Sequence, residues 1–446
     1  MIELQYSCNG KLFVTMTRHI PQFLAVMASL SLSYSFAQDA PEEEVFEYSP
    51  GGAPNWFTGE GANVGGFLFP NLFIFGTAGV SESGASAEDY AFAGHDPLND
   101  VSIQTIEADI GININDVVTG LVAGSGFQAE DHEWDAELEE AFLHYNINEN
   151  IAIGGGQFLN QFGFQSSKHL HAWDFVNNNL VNARMLNEGE LFTQGGEVVF
   201  RGPNASVLTI GGGGVRSHAH GHEEEEEGHA EEEEEHHGHG HGHGHEEESH
   251  EGEEEGHMEA DDAFFNNWAF TAAHQFRLPF DDSVTVTTSV GTGENGFGGD
   301  TYLYGVGFQK VWNGHDHGNG GPDFCNGAFL FRTEFIGREI EAVHEDGDVE
   351  KFNDYGLSSL LKYGVSDRTT VSLRHDWVSS LGALELADTH RVSPAFTTYV
   401  DPAQRVRMRF QYDYLRSSAL DGEHVGWVQF QLQWGGTGGS HDGHNH

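Results

Sequence analysis

One segment of this chain is dense in side chains that bind metal ions. Residues 217–262 contain 12 of the 28 histidines and 20 of the 70 acidic residues, and no lysine or arginine. Imidazole and carboxylate groups are ligands for zinc, copper and nickel. The candidate ligands in this segment are His218, His220, His222, His229, His236, His237, His239, His241, His243, His245, His250 and His257. The composition therefore predicts a segment that collects divalent metal ions.

The spacing of these histidines suits several exchangeable ions. Histidine alternates with glycine from His237 to His245, which places the imidazoles on one side of an extended chain, and glycine lets the backbone fold around an ion. The segment has too little apolar surface to offset the entropy of ordering, so we expect it to be disordered. Binding requires neutral imidazole and is expected to fail below about pH 6. Alternatively, the acidic side chains of this segment only keep the protein surface hydrated.

A second candidate set lies among aromatic residues, in a connection too long for a simple turn. The ligands would be His169, His171 and Asp174, set on one face of a short helical turn that folds into a pore. Alternatively, Trp173 and Phe175 pack the connection against the wall of the pore, and the histidines are only polar residues spaced between the aromatic ones. The residues support both interpretations.

The elements that must position these groups are strands. Segments of roughly ten residues with alternating apolar and polar side chains recur from Gly65–Val80 to Val425–Trp434, which predicts about sixteen strands. Short turns alternate with longer polar loops, and no run of about 18 apolar residues follows Ala37. We therefore predict an all-β fold, a transmembrane antiparallel β-barrel of about 16 strands with long extracellular loops. The alternative is a large β-sandwich or β-helix of an exported, soluble enzyme.

The predicted barrel fixes the place of the other segments. Residues 1–37 are predicted to be a signal peptide, with Met16 as a possible start, and residues 38–64 a periplasmic segment. Residues 65–434 form the barrel, and residues 435–446 form a tail that contains histidine. An even strand count puts both chain termini in the periplasm and the His-rich loop, between the seventh and eighth strands, outside the cell.

The same alternation assigns side chains to the pore and to the membrane interface. The predicted pore-facing residues are Glu107, Asp109, Glu139, Glu197, Gln309, Arg332, Glu334, Lys362, Arg374, Arg407 and Arg409, with carboxylates on one wall and arginines on the other. The predicted girdle residues are Trp268, Trp312, Trp377, Trp427 and Trp434. The formal charge of −51 excludes nucleic acid as a partner, since phosphate binding needs a basic surface.

One stretch also resembles a known family. The sequence GGQFLNQFGFQSSKHLHAWDFVNNNLV looks like the hallmark segment of bacterial zinc-regulated outer-membrane proteins and is more distantly similar to phosphate-selective porins. The residues that match the family pattern are His169, His171, Trp173, Asp174 and Phe175. Asn177 to Asn179 depart from it, because they replace an acidic-x-Pro sequence. Members are often labelled TonB-dependent receptors, but we expect no plug ahead of residue 65 and no clear TonB box, so the sequence leaves open whether uptake is passive or energised.

Together these features predict a porin-like barrel of the bacterial outer membrane that captures divalent metal on its His-rich loop and lets it pass to the periplasm. The resemblance implies Zn²⁺ as the metal, with copper and nickel as alternatives, and the composition of the His-rich segment predicts that the ions are loosely and exchangeably bound. The expected partners are metal ions, outer-membrane lipid and two further copies in a homotrimer, and we expect no catalysis. One alternative is a surface metal buffer without transport, and another is a general or anion-selective porin. A third alternative is an outer-membrane enzyme such as a lipase, which would need a Ser–His pair, and His375 beside Ser372 and Ser379 is the candidate.

Overall fold

The computed structural model describes residues 63–81, 95–98, 100–128, 134–216, 260–316, 322–323, 326–344, 348–401, 405–418 and 422–435. It also describes the backbone of Glu3–Tyr6 and Leu12–Thr15, which pair as a separate antiparallel sheet. The twelve candidate ligands from His218 to His257 lie outside these residues, so their role stays a prediction. The signal peptide and the tail stay predictions as well.

Sixteen antiparallel strands close into one barrel, which confirms the predicted fold class. The strands are β1 (Leu68–Ser81), β2 (Val101–Ile114), β3 (Val118–Gln128), β4 (Trp134–Asn148), β5 (Ile151–Leu159), β6 (Phe192–Gly202), β7 (Ser206–Val215), β8 (Phe265–Leu278), β9 (Asp281–Asn295), β10 (Asp300–Trp312), β11 (Phe329–Val343), β12 (Val349–Ser366), β13 (Thr369–Val378), β14 (Thr389–Tyr399), β15 (Val406–Ser417) and β16 (Glu423–Gly435). Each strand pairs with the next, and β16 pairs with β1 to close the barrel, with Trp427 opposite Gly79.

The two faces of the barrel wall are inverted relative to a soluble protein. On β15, Arg407 and Arg409 point inward and are buried, whereas Phe410 and Tyr412 point outward and are each 43% exposed. Apolar side chains in this position would be unfavourable in water but suit a lipid bilayer, and closure leaves no unpaired strand edge. The protein is therefore a β-barrel of the bacterial outer membrane. Among the described residues no helix is long and apolar enough to cross a membrane.

The predicted facing of the side chains is largely correct. The predicted pore-facing residues alternate with the outward apolar side chains, and most of them are buried inside the barrel. One girdle prediction is wrong: Trp427 is 3% exposed, packs on Val176 and donates its indole N–H to Asp413 inside the barrel. The reason is register, because odd-numbered residues of β16 face inward. Trp268 and Trp312 are about two-fifths exposed on the outer face, as a girdle requires.

The connections at one end of the barrel are mostly short and those at the other end are mostly long, as predicted, but the alternation of short and long connections is not strict. The end of the barrel that holds the connections 115–117, 149–150, 203–205, 279–280 and 367–368 is called here the short-turn end, and β1 begins and β16 ends there. The opposite, long-loop end holds 82–100, 160–191 and 216–264. The connection 296–299 is also at the long-loop end yet is short, because the Asn295 side-chain oxygen accepts from the backbone N–H groups of Phe297 and Gly299 and closes a tight turn.

Candidate metal centre

The connection between β5 and β6, residues 160–191, folds into the barrel and is called here the inner loop. Its first turn is held by Gly163, whose φ is +68° and whose N–H donates to the Ser289 hydroxyl. An added Cβ at Gly163 would lie 1.4 Å from the Glu334 carboxylate and displace it, and the positive φ would strain any other residue at this position. The inner loop then forms a 3₁₀ turn over Leu170–Ala172 and the helix α1 (Leu180–Met185), capped by Asn179.

Arginines on one side of the lumen hold the backbone of the inner loop. Arg409 donates to the carbonyl oxygens of Trp173 at 2.8 Å and Phe175 at 2.6 Å, and Arg374 donates to that of Asn177 at 2.9 Å. This side is called here the basic wall and comprises Arg332, Lys362, Arg374, Arg391, Arg407 and Arg409 on β11 to β15. The predicted basic wall is present, and several of its side chains hydrogen-bond the backbone of the inner loop instead of lining a water-filled channel.

Asp174 belongs to this basic side. Its carboxylate lies 2.8 Å from Lys362 Nζ and 3.3 Å from Arg332 Nη1. Burial alone would raise the pKa of Asp174, but the two cations hold it well below its usual range. The structure therefore separates Asp174 from His169 and His171, with which the sequence grouped it, and gives it ion pairs that fix the inner loop.

The two histidines of the inner loop face the opposite, acidic side of the lumen. His169 Nδ1 lies 2.7 Å from Glu139 Oε2, and His169 Nε2 lies 2.7 Å from Glu140 Oε2. His171 Nδ1 lies 2.7 Å from Glu107 Oε1, and its ring stacks on Phe73 with centroids 4.3 Å apart. Both predicted histidines thus fold into the barrel, and Trp173 packs on the wall as the second interpretation proposed. The grouping of Asp174 with the two histidines is therefore wrong, and the role of His169 and His171 as metal ligands stays a prediction.

A β-bulge explains why two successive glutamates reach His169. Ala123 pairs with Glu140, whereas Gly124 pairs with Leu138, so Glu139 is the extra residue on β4. A bulge interrupts the strict alternation of side chains. Both carboxylates consequently point into the lumen and hold the two nitrogens of one imidazole.

A third histidine extends this arrangement toward the long-loop end. His95 Nε2 lies 3.2 Å from Glu137, 3.4 Å from Glu190 and 3.6 Å from Glu139. The lumenal cluster, as used below, consists of His95, Glu107, Asp109, Glu137, Glu139, Glu140, His169, His171 and Glu190. Within it, three sets of one histidine and two carboxylates have ligand atoms within 4.8 Å of one another. Two ligands of one zinc ion are separated by about 4 Å at most, since each bond is about 2 Å, so any ligand atoms further apart than this would have to move closer to hold one ion.

The charges of the lumenal cluster fit a cation. Six carboxylates meet three imidazoles, and the Arg216 guanidinium approaches Glu137 at 4.0 Å. When all six carboxylates are ionised, negative charge exceeds positive charge even with every imidazole protonated, and most of these groups are almost fully buried. Buried charge without compensation is unfavourable, so a divalent cation in this cluster would stabilise it.

The sequence predicts part of this cluster. Glu107, Asp109 and Glu139 are predicted to face the pore, but not to be metal ligands. His95, Glu137, Glu140 and Glu190 are absent from the predicted ligands and pore-facing residues. The adjacent pair Glu139–Glu140 inside an alternating strand was an available signal for a bulge. No sequence pattern indicates that His95 and Glu190, from two different loops, meet.

Comparisons with known proteins find barrels of low similarity. No protein-family model matches the sequence, and no curated protein matches it. The outer membrane channel DcaP of Acinetobacter baumannii is 11% identical, with a TM-score of 0.49 over 84% of this chain and 99% of that chain. A loop-deletion mutant of OmpT, an outer membrane protein of Vibrio cholerae, is 10% identical, with a TM-score of 0.47 over 82% and 99%. An anion-selective porin from Comamonas acidovorans is 8% identical, with a TM-score of 0.47 over 82% and 100%. The fold and location of this protein follow from its own topology and burial pattern.

Proposed function

We propose that this protein is a porin-like channel that takes up divalent transition-metal ions, zinc above all, by diffusion through the barrel. The observation that carries this proposal is the lumenal cluster, in which histidines of the inner loop meet carboxylates of the barrel wall. Imidazole with carboxylate is a donor set for zinc, nickel and copper, and sets of three protein ligands leave a position open for exchange. The family resemblance around His169 and His171 favours zinc within this group.

In this proposal the His-rich segment 217–262 raises the metal concentration at the entrance. It joins β7 to β8 at the long-loop end, which by the usual asymmetry of outer-membrane barrels faces outside. The lumenal cluster then gives the passage its preference for divalent cations. A homotrimer remains a prediction, as does the absence of catalysis.

Deleting residues 217–262 is expected to remove most zinc ions bound per chain while leaving a smaller number in the barrel. The reason is that the segment carries 12 histidines, whereas the lumenal cluster carries three. Calorimetric titration of both proteins with zinc measures the two numbers. Unchanged stoichiometry after deletion would exclude the segment as the collector, and loss of all binding would exclude the lumenal cluster as a site.

In the chain that lacks residues 217–262, the zinc affinity is expected to increase with pH, and this increase is expected to continue at pH values well above 6.5. Burial favours a neutral ring, but Glu139 and Glu140 raise the pKa of His169 well above its usual value. Below this raised pKa zinc must displace a proton, so affinity gains up to about tenfold per pH unit until the pKa is passed. Titrations between pH 6 and 9 measure this. A plateau already at about pH 6.5, the ordinary histidine value, would contradict zinc binding at His169.

The alternative of a surface metal buffer draws on one observation. The inner loop crosses the lumen and is buried over most of its length, so it narrows the path for solutes. In the buffer hypothesis the protein binds zinc but does not conduct it. Zinc flux into proteoliposomes distinguishes the two functions.

A further inference from the structure

We infer that the lumenal cluster is a row of three connected cation positions, along which a divalent metal ion passes from the long-loop end to the short-turn end. This inference rests on the proposed function and adds the path within the barrel. The outer position is His95 with Glu137 and Glu139, and the middle position is His169 with Glu139 and Glu107. The inner position is His171 with Glu107 and Asp109.

Neighbouring positions share a carboxylate. Glu139 turns Oε1 toward His95, at 3.6 Å, and Oε2 toward His169, at 2.7 Å. Glu107 Oε1 lies 3.9 Å from His169 Nδ1 and 2.7 Å from His171 Nδ1. A carboxylate that reaches two positions lets an ion gain its next ligand before it loses the previous one.

The two inner-loop histidines are arranged for such a transfer. The rings of His169 and His171 are stacked nearly parallel, with centroids 5.9 Å apart and an interplanar angle of 6°. Glu107 Oε1 faces the Nδ1 atoms of both rings. Glu140 contacts the other nitrogen of His169 and would orient that ring, as the hydrogen-bonded partners of metal-binding histidines do.

Strand direction sets the order of the positions. Strands β2 and β4 both run from the long-loop end to the short-turn end. Glu137 therefore precedes Glu139 along β4, and Glu107 precedes Asp109 along β2, in the same direction. The three positions follow one another down the acidic side of the lumen.

The ligand sets suit ions that must leave again. Each position offers one imidazole nitrogen and two carboxylates, and none of the three sets contains a cysteine. Thiolate is the soft ligand that holds zinc and copper tightly, whereas carboxylate is harder. Conduction requires binding that is favourable enough to enter and weak enough to leave, with several adjacent sites.

The positions can be tested by anomalous diffraction from crystals of the full chain soaked with zinc. We expect anomalous peaks beside Glu139 and Glu107, inside the barrel. Glu139→Gln is expected to remove the outer and middle peaks and to keep the inner one, whereas Asp109→Asn is expected to remove the inner peak only. Glu197→Gln is the matched control, since Glu197 is a buried lumenal carboxylate outside the three sets, and it is expected to change no peak.

Zinc flux into proteoliposomes gives a second readout for the same variants. Both Glu139→Gln and Asp109→Asn are expected to lower flux by more than roughly tenfold, the loss in affinity that a perturbed metal site commonly shows. Asp109→Asn is the decisive variant, because it is expected to lower zinc flux while zinc stays bound at the outer and middle positions. If Glu139→Gln does not assemble, Glu137→Gln tests the outer position by itself and is expected to remove the outer peak alone.

The outcomes separate this inference from the proposed function. A single zinc peak that Glu139→Gln and Asp109→Asn both abolish would overturn the row of positions and leave one lumenal site. Normal flux in Asp109→Asn would also overturn the row. No zinc in the barrel and no zinc flux would overturn the proposed function itself.

Discussion

Replacing His169 with alanine is expected to lower the zinc affinity of the barrel by roughly 100-fold or more, the upper end of the loss caused by changing a partner outside the ligand set. His169 contacts Glu139 and Glu140 through its two nitrogens and lies 3.9 Å from Glu107. Its removal takes away the only imidazole of one ligand set. It also leaves the buried carboxylates of Glu107, Glu139 and Glu140 without the ring between them, so they repel one another more strongly.

The measurement is zinc titration of the chain that lacks residues 217–262, so that the His-rich segment does not mask the barrel. His144→Ala is the matched control, because His144 is also a buried lumenal histidine that contacts a glutamate, Glu197, but belongs to none of the three ligand sets. Equal zinc affinity in the two variants would show that His169 is not a ligand.

The second large effect is expected from Arg409→Ala, which should release the inner loop and raise single-channel conductance. The Arg409 side chain is 1% exposed and donates to the backbone carbonyl oxygens of Trp173 and Phe175. Each buried carbonyl left without a donor costs about 1–3 kcal/mol. A loop that leaves the lumen opens the path, and it also carries His169 and His171 away from the acidic side.

Planar-bilayer recording measures the conductance, and zinc titration of the same variant is expected to show weaker binding. Arg416→Ala serves as the control, since Arg416 is on the same strand but exposed. Unchanged conductance together with unchanged zinc affinity would mean that the arginine contacts do not hold the inner loop in place.

The sequence predicts the barrel well because the pattern that defines it is local. Alternation with a period of two depends only on neighbouring residues, and the first and last predicted segments, Gly65–Val80 and Val425–Trp434, correspond to the strands Leu68–Ser81 and Glu423–Gly435. Facing follows from the same period, and this is why Glu107 and Arg409 are placed correctly. A register error reverses facing, which accounts for Trp427.

The metal centre is only partly predictable, because it depends on contacts between distant residues. The pattern around His169 and His171 marks two ligands, but their partners come from β2 and β4. Asp174 lies close to the histidines in sequence and yet binds Lys362 and Arg332. Local spacing cannot show that the inner loop crosses the lumen with its histidines toward one wall and its Asp174 toward the other.

Zinc flux through the purified full-length protein in proteoliposomes tests the central claim most directly. An internal zinc-sensitive dye reports entry down a concentration gradient, with protein-free liposomes and the His169→Ala variant measured alongside. We expect rapid zinc entry through the unmodified protein, and entry slowed by more than roughly tenfold in the variant. Zinc binding without zinc entry would contradict the channel and identify the protein as a surface metal buffer.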